Sequence, residues 1–265
     1  MVFDISTIKR STQLPPRIVV YGTPGIGKTT FAASMPDPIF IPVEDGLGQL
    51  DVPAFPRPEN FTQVGDAVES LINDKHQYRT LVLDSLDLLE PMIWSHVCKT
   101  VPNDKGMAVE RIEQYGWAKG YTHALTEWRS LLEGLDILRE SKEMTICLIG
   151  HSSIVRFETP ESDPYERYQL RLHKHAEAAV SAWSDCVLFA NYEVTTVDAG
   201  GNSTKKRGIG KGDRVLHTCE RPAFKAKNRY SMPDQIPLSW EAAASHFTLK
   251  PKAKAKPRAK AVTAQ

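Results

Sequence analysis

The chain has 265 residues, 41% of them hydrophobic and 25% charged, with a formal net charge of +1. This composition belongs to a globular protein with a core of its own, and it excludes a fibre or a low-complexity chain. No apolar run is long enough to span a bilayer and the N-terminal MVFDISTIKRS lacks the pattern of a secretion signal, so the expected location is the cytoplasm, with no membrane partner.

After a lead-in of residues 1–16, Ile18, Val19, Val20 and Tyr21 read as a short buried strand. Gly22 to Thr29, within RIVVYGTPGIGKTT, then fit G-x-x-x-x-G-K-[ST] at every fixed position. The spelling has a chemical reason. Glycines let backbone N–H groups turn toward phosphate oxygens, and a helix over residues 28–35 points its positive end at the same place. The expected phosphate contacts are Gly22, Thr23, Pro24, Gly25, Ile26, Gly27, Lys28, Thr29 and Thr30. Lys28 would reach the β and γ phosphates of ATP, and the Thr29 hydroxyl would sit on Mg2+.

A second strand, residues 38–43, ends at Glu44 and Asp45, and a helix starting at Phe61 has Asn60 as its cap. A third strand, residues 78–84, precedes LDLLEPMIWSHVCK, a helix expected to break near Pro91. Tyr121, Leu125, Trp128, Leu131, Leu132, Leu135 and Leu138 trace the apolar face of a long helix over residues 117–140. A fourth strand, residues 144–149, leads to Gly150 and His151. Residues 152–171 are polar and interrupted by Pro160 and Pro164, and read as a mobile loop with strand character only at its ends. A helix over residues 173–183, a strand over 185–192 and a β-hairpin over 193–218 follow.

The four cysteines are scattered, two of them inside apolar runs, and are expected to be reduced core thiols. Residues 17–249 form the expected domain. Residues 250–265, with six cations and no acid, read as a disordered tail; without them the body holds 27 basic residues against 32 acidic ones. The alternation of strands and helices predicts an α/β fold with a mostly parallel sheet covered on both faces. Ligands in such folds bind at the carboxyl ends of the strands, which gathers the phosphate loop, Glu44, Asp84 and His151 on one rim.

Asp84, closing an apolar strand, fits the acid that holds Mg2+ in P-loop NTPases, with Asp87 as the alternative. Hydrolysis also needs a carboxylate to orient and deprotonate water, for which Glu44 is the candidate and Asp45 the runner-up.

In the order GTPGIGKT, IFIPVED, LVLDS, CLIGH, the chain resembles the RecA-like recombinase ATPases, and among them the phage nucleotide-binding proteins associated with single-strand annealing. The resemblance implies a RecA-like P-loop NTPase fold with a C-terminal β-hairpin, Glu44 as catalytic glutamate and Asp84 as the Walker B aspartate. It also puts His151 where these recombinases usually carry a glutamine that senses the γ-phosphate and moves a DNA-binding loop. Residues 152–171 stand where the second DNA-binding loop lies, and Arg156, Phe157, Arg167, Tyr168 and Arg171 supply the cations and rings that single strands require. In FKAKNRYSMP, Lys227 and Arg229 match a basic pair that reaches a neighbouring subunit's ATP. Independently of the resemblance, Lys252, Lys254 and Lys256 in the tail suit sequence-tolerant phosphate binding.

The leading expectation is an ATP- and Mg2+-dependent single-stranded DNA-binding ATPase of the recombination or annealing type. It would assemble into filaments or rings with ATP between subunits, with a single-strand DNA-binding protein as a further partner. The alternative is a P-loop switch or loader acting on protein partners in DNA replication or repair. A small-molecule kinase is disfavoured because no acceptor-binding lid follows the core.

Overall fold

The structure, a computed structural model, describes residues 13–48, 50–198 and 206–247, the last two without the side chains of 194–198 and 206–211. In chain order the elements are β1 (Arg17–Gly22), α1 (Lys28–Ala33), β2 (Pro38–Pro42), α2 (Phe61–Asn73), β3 (Thr80–Asp84), α3 (Leu86–Thr100), α4 (Lys119–Lys142), β4 (Thr145–Thr159), β5 (Ser162–Leu170), α5 (Lys174–Trp183), β6 (Cys186–Asp198), β7 (Lys206–His217), β8 (Lys227–Asn228), β9 (Gln235–Pro237) and α6 (Trp240–Phe247).

One sheet runs β2-β3-β4-β1-β6-β7-β9, with β5 paired to β4 and β8 to β6. The neighbours from β2 through β6 on this path are parallel, and the pairings of β5, β7, β8 and β9 are antiparallel. This is the expected α/β architecture with a mostly parallel central sheet, and the expected hairpin is formed by β6 and β7.

Alternation along β1 divides the core. Val19 and Tyr21 pack with α2, α3, α4 and α5, while Ile18 and Val20 pack with α1, α6 and Ile236. Each of these four side chains is 0% exposed, so each withdraws its whole apolar surface from water. The parallel register sets Gly22 beside His151 and Asp84 beside Ile149, bringing the ends of β1, β3 and β4 to one rim.

Two expectations need correction. The helix after Asp84 does not break at Pro91: α3 runs through it. Leu86, Leu89, Ile93 and Val97, all 0% exposed on either side of the proline, hold the helix against the sheet despite the missing N–H. Residues 152–171 are not a loop either, because β4 continues to Thr159 and β5 returns alongside it. Pro160 lies in the turn, and Pro164 falls on the bulged strand where the register shifts between Phe157 and Thr159.

Candidate functional site

The phosphate loop leaves β1 at Gly22 and enters α1 at Lys28. A Cβ at Gly22 would run into the carbonyl oxygen of Ala190 on β6, so only glycine lets these strands pair there. Gly27 has φ 110°, in the left-handed region that glycine adopts without strain. Ile26, 0% exposed, pins the loop to the core, whereas Pro24, Gly25 and Thr30 face solvent.

Lys28 is buried and lies back across the loop, its Nζ donating to the carbonyl oxygens of Gly22 at 3.2 Å and Thr23 at 3.0 Å. Burial lowers its pKa, opposed by the charges of Asp84 and Glu44. The Thr29 hydroxyl donates to Asp84 Oδ2 at 2.7 Å. Asp84 Oδ1 is buried with no partner among the described residues. Burial pushes this carboxyl up to about 6, against the Thr29 hydrogen bond. A hydroxyl and a carboxylate side by side, with one carboxylate oxygen unsatisfied, form a donor set suited to a hydrated hard cation such as Mg2+.

The segment after β2 is tied to the same place, with the N–H groups of Val43 and Glu44 both donating to the Asp84 carbonyl. Ser85, fully buried, donates to Glu44 Oε2 at 3.4 Å, while Asp45 is exposed. His151 turns to Asp87: its backbone N–H donates to Asp87 Oδ1 at 3.0 Å and its Nδ1 lies 3.1 Å from both carboxylate oxygens. Arg171 pairs with the same carboxylate. Burial alone would raise the Asp87 pKa, but these hydrogen bonds hold it well below the usual carboxylate range.

A family model described as an AAA domain matches residues 14–230. The chain belongs to the AAA domain family. No curated protein matches the sequence. Among solved structures, that of the RadB recombinase aligns at 14% identity and a TM-score of 0.42, over 77% of this chain and 80% of that one. The AAA-domain chain is therefore a P-loop nucleotide-binding protein whose loop, Thr29, Asp84 and Glu44 are gathered at one rim.

The candidate DNA residues of this AAA-domain chain are arranged less simply. The loop expected to present them is a hairpin, and the candidate side chains have partners within the chain. Arg167, 9% exposed, pairs with Glu220 at 3.0 Å and lies 3.7 Å over the Phe157 ring. Tyr168 stacks on Phe189 at 5.1 Å, and Arg171 serves Asp87. Arg156 is exposed, beside Glu158 at 3.3 Å. Lys252, Lys254 and Lys256 lie outside the described residues.

Lys227 and Arg229 sit at the other end of the sheet. Lys227 pairs with Val187 near the start of β6, whereas Gly22 pairs with Ala190, three residues or roughly 10 Å further along that strand. Lys227 Nζ donates to the carbonyls of Ser181, Ala182 and Ser184 at the end of α5, a favourable place for a cation. Arg229 pairs with Asp185 at 3.0 Å, alongside Arg17 and Arg139.

Two positions escape the sequence reading. The sequence offers Asp87, three residues beyond Asp84, only as an alternative metal acid, and nothing local shows its two basic partners, His151 and Arg171. Arg214 on β7, whose guanidinium lies beside Gly27, carries no sequence signal.

Proposed function

We propose that the protein is an ATP-dependent single-stranded DNA-binding protein of the recombination or annealing type, hydrolysing ATP between subunits of a filament or ring. The observation that carries the reading is the shared carboxylate of Asp87. His151, beside Gly22 of the phosphate loop, and Arg171, at the foot of the β4–β5 hairpin, both bind it. A phosphate drawing His151 away changes what holds Arg171, and this gives the hairpin a reason to respond to nucleotide.

In this reading Lys28 exchanges its two loop carbonyls for the β and γ phosphates. Thr29 and Asp84 hold Mg2+, which when bound neutralises charge on those phosphates. Ser85 holds Glu44 Oε2, leaving Oε1 to orient the attacking water and take its proton. Of the two basic candidates for a neighbouring subunit's site, half-exposed Arg229 is freer to turn outward than Lys227, which serves three carbonyls of its own chain.

A second reading, a switch or loader acting on protein partners, is favoured by the ion pairs that occupy Arg156, Arg167 and Arg171 of the hairpin. Anisotropy of a labelled single-stranded oligonucleotide separates the two. Tighter binding with a non-hydrolysable ATP analogue than with ADP or no nucleotide supports the first reading, and equal affinity in all three states supports the second.

A further inference from the structure

The flank of the phosphate loop away from Asp84 and Glu44 is made by β6, β7 and β9. Arg214 lies on β7 opposite Tyr192 of β6, with its carbonyl accepting from Leu238 N–H at 3.0 Å, so its backbone is fixed on both sides. Its side chain turns to the loop. A Cβ built on Gly27 would stand 3.2 Å from an Arg214 guanidinium nitrogen and 3.6 Å from Leu238 Cδ2. Gly27 thus meets two demands at once, its left-handed φ of 110° and the space taken by this arginine.

Arg214 is an exposed residue, and among the described residues no carboxylate pairs with it. A planar fork of donors held beside a loop whose own N–H groups face phosphate is suited to anionic oxygens. The sheet order indicates which oxygens. The Mg2+ and water-activating side, Asp84 on β3 and Glu44 after β2, is separated from β7 by β4, β1 and β6. The γ-phosphate belongs to the former side, so the β7 flank faces the part of the nucleotide that ATP and ADP share.

We propose that Arg214 binds the nucleotide polyphosphate in cis, from the β7 flank of the loop, at the α and β phosphates. The inference rests on the nucleotide-binding reading above and adds a contact made equally to ATP and ADP. Such a contact supplies uniform binding rather than selective stabilisation of the transition state.

Calorimetric or fluorescent titration of ATP and ADP into wild type, Arg214→Ala, Arg214→Lys and Lys28→Ala, with thermal midpoints of the ligand-free proteins, tests it. Arg214→Ala should raise Kd for both nucleotides by about tenfold or more, the range of one charge-assisted contact. kcat/KM should fall by the same factor, Arg214→Lys should recover part of the loss, and the wild-type advantage should shrink with added salt. The ligand-free midpoint should stay put, since Arg214 is an exposed residue. An unchanged Kd in Arg214→Ala, a loss confined to ATP, or a lowered midpoint with unchanged Kd overturns the assignment. Wild-type binding abolished by Lys28→Ala but untouched by Arg214→Ala overturns this inference alone. Wild-type protein that binds neither nucleotide overturns the nucleotide-binding reading and this one with it.

Discussion

Asp84→Asn removes a charge that the ligand-free fold holds at a cost. Burial raises the Asp84 pKa from its ordinary 3.8 to about 6, with the Thr29 hydrogen bond and Lys28 acting against the rise and Glu44 adding to it. The folded state therefore binds this proton more tightly than the unfolded chain does. The stability linked to it is full below the unfolded value and is lost as pH rises through about 6. A shift of about two units amounts to about 3 kcal/mol at pH 7 and about 1 kcal/mol at pH 4.5. Asp84→Asn should accordingly make the ligand-free protein more stable by about 2–3 kcal/mol at pH 7, with a gap of about 1 kcal/mol at pH 4.5, while turnover is lost. Urea titrations of both proteins at the two pH values, without nucleotide or Mg2+, read this difference directly. A variant no more stable at pH 7, or a gap equal at both, would refute the picture of a carboxylate held in place for a cation.

Glu44→Gln should keep nucleotide binding and lower turnover by about a hundredfold or more, the range for a lost general base; a normal rate moves that role to another group. Arg171→Ala should cost only about 1 kcal/mol in denaturant titration, because the arginine is half exposed, yet bring the ratio of DNA-stimulated to basal hydrolysis down toward one. An unchanged ratio removes Asp87 as the link between nucleotide and hairpin. Lys227→Ala should lower stability by about 1–2 kcal/mol through the freed carbonyls of α5 and also reduce DNA-stimulated hydrolysis in assemblies. Lost stability with unaltered hydrolysis assigns Lys227 to the fold alone.

The legible parts of this chain are those whose physics is local. The phosphate loop is spelled by backbone demands within eight residues, and strand-ending acids such as Asp84 and Glu44 reach the rim through the parallel topology that the alternating elements imply. Side chains whose partners lie far along the chain were opaque. Nothing near Arg167 in the sequence points to Glu220, 53 residues away, and nothing near Lys227 points to the carbonyls at the end of α5. The β4–β5 hairpin was hidden because proline and charge usually mark loops, whereas an edge strand tolerates both at a turn and a bulge. Arg214 was illegible because its approach to Gly27 depends on a sheet order that local pattern does not contain.

Steady-state ATP hydrolysis with and without single-stranded DNA, across a series of salt concentrations, tests the central claim most directly. The recombination or annealing reading predicts stimulation by DNA that fades as salt releases the protein from phosphate. One rate with and without DNA, at every salt concentration at which the protein hydrolyses ATP, would contradict it.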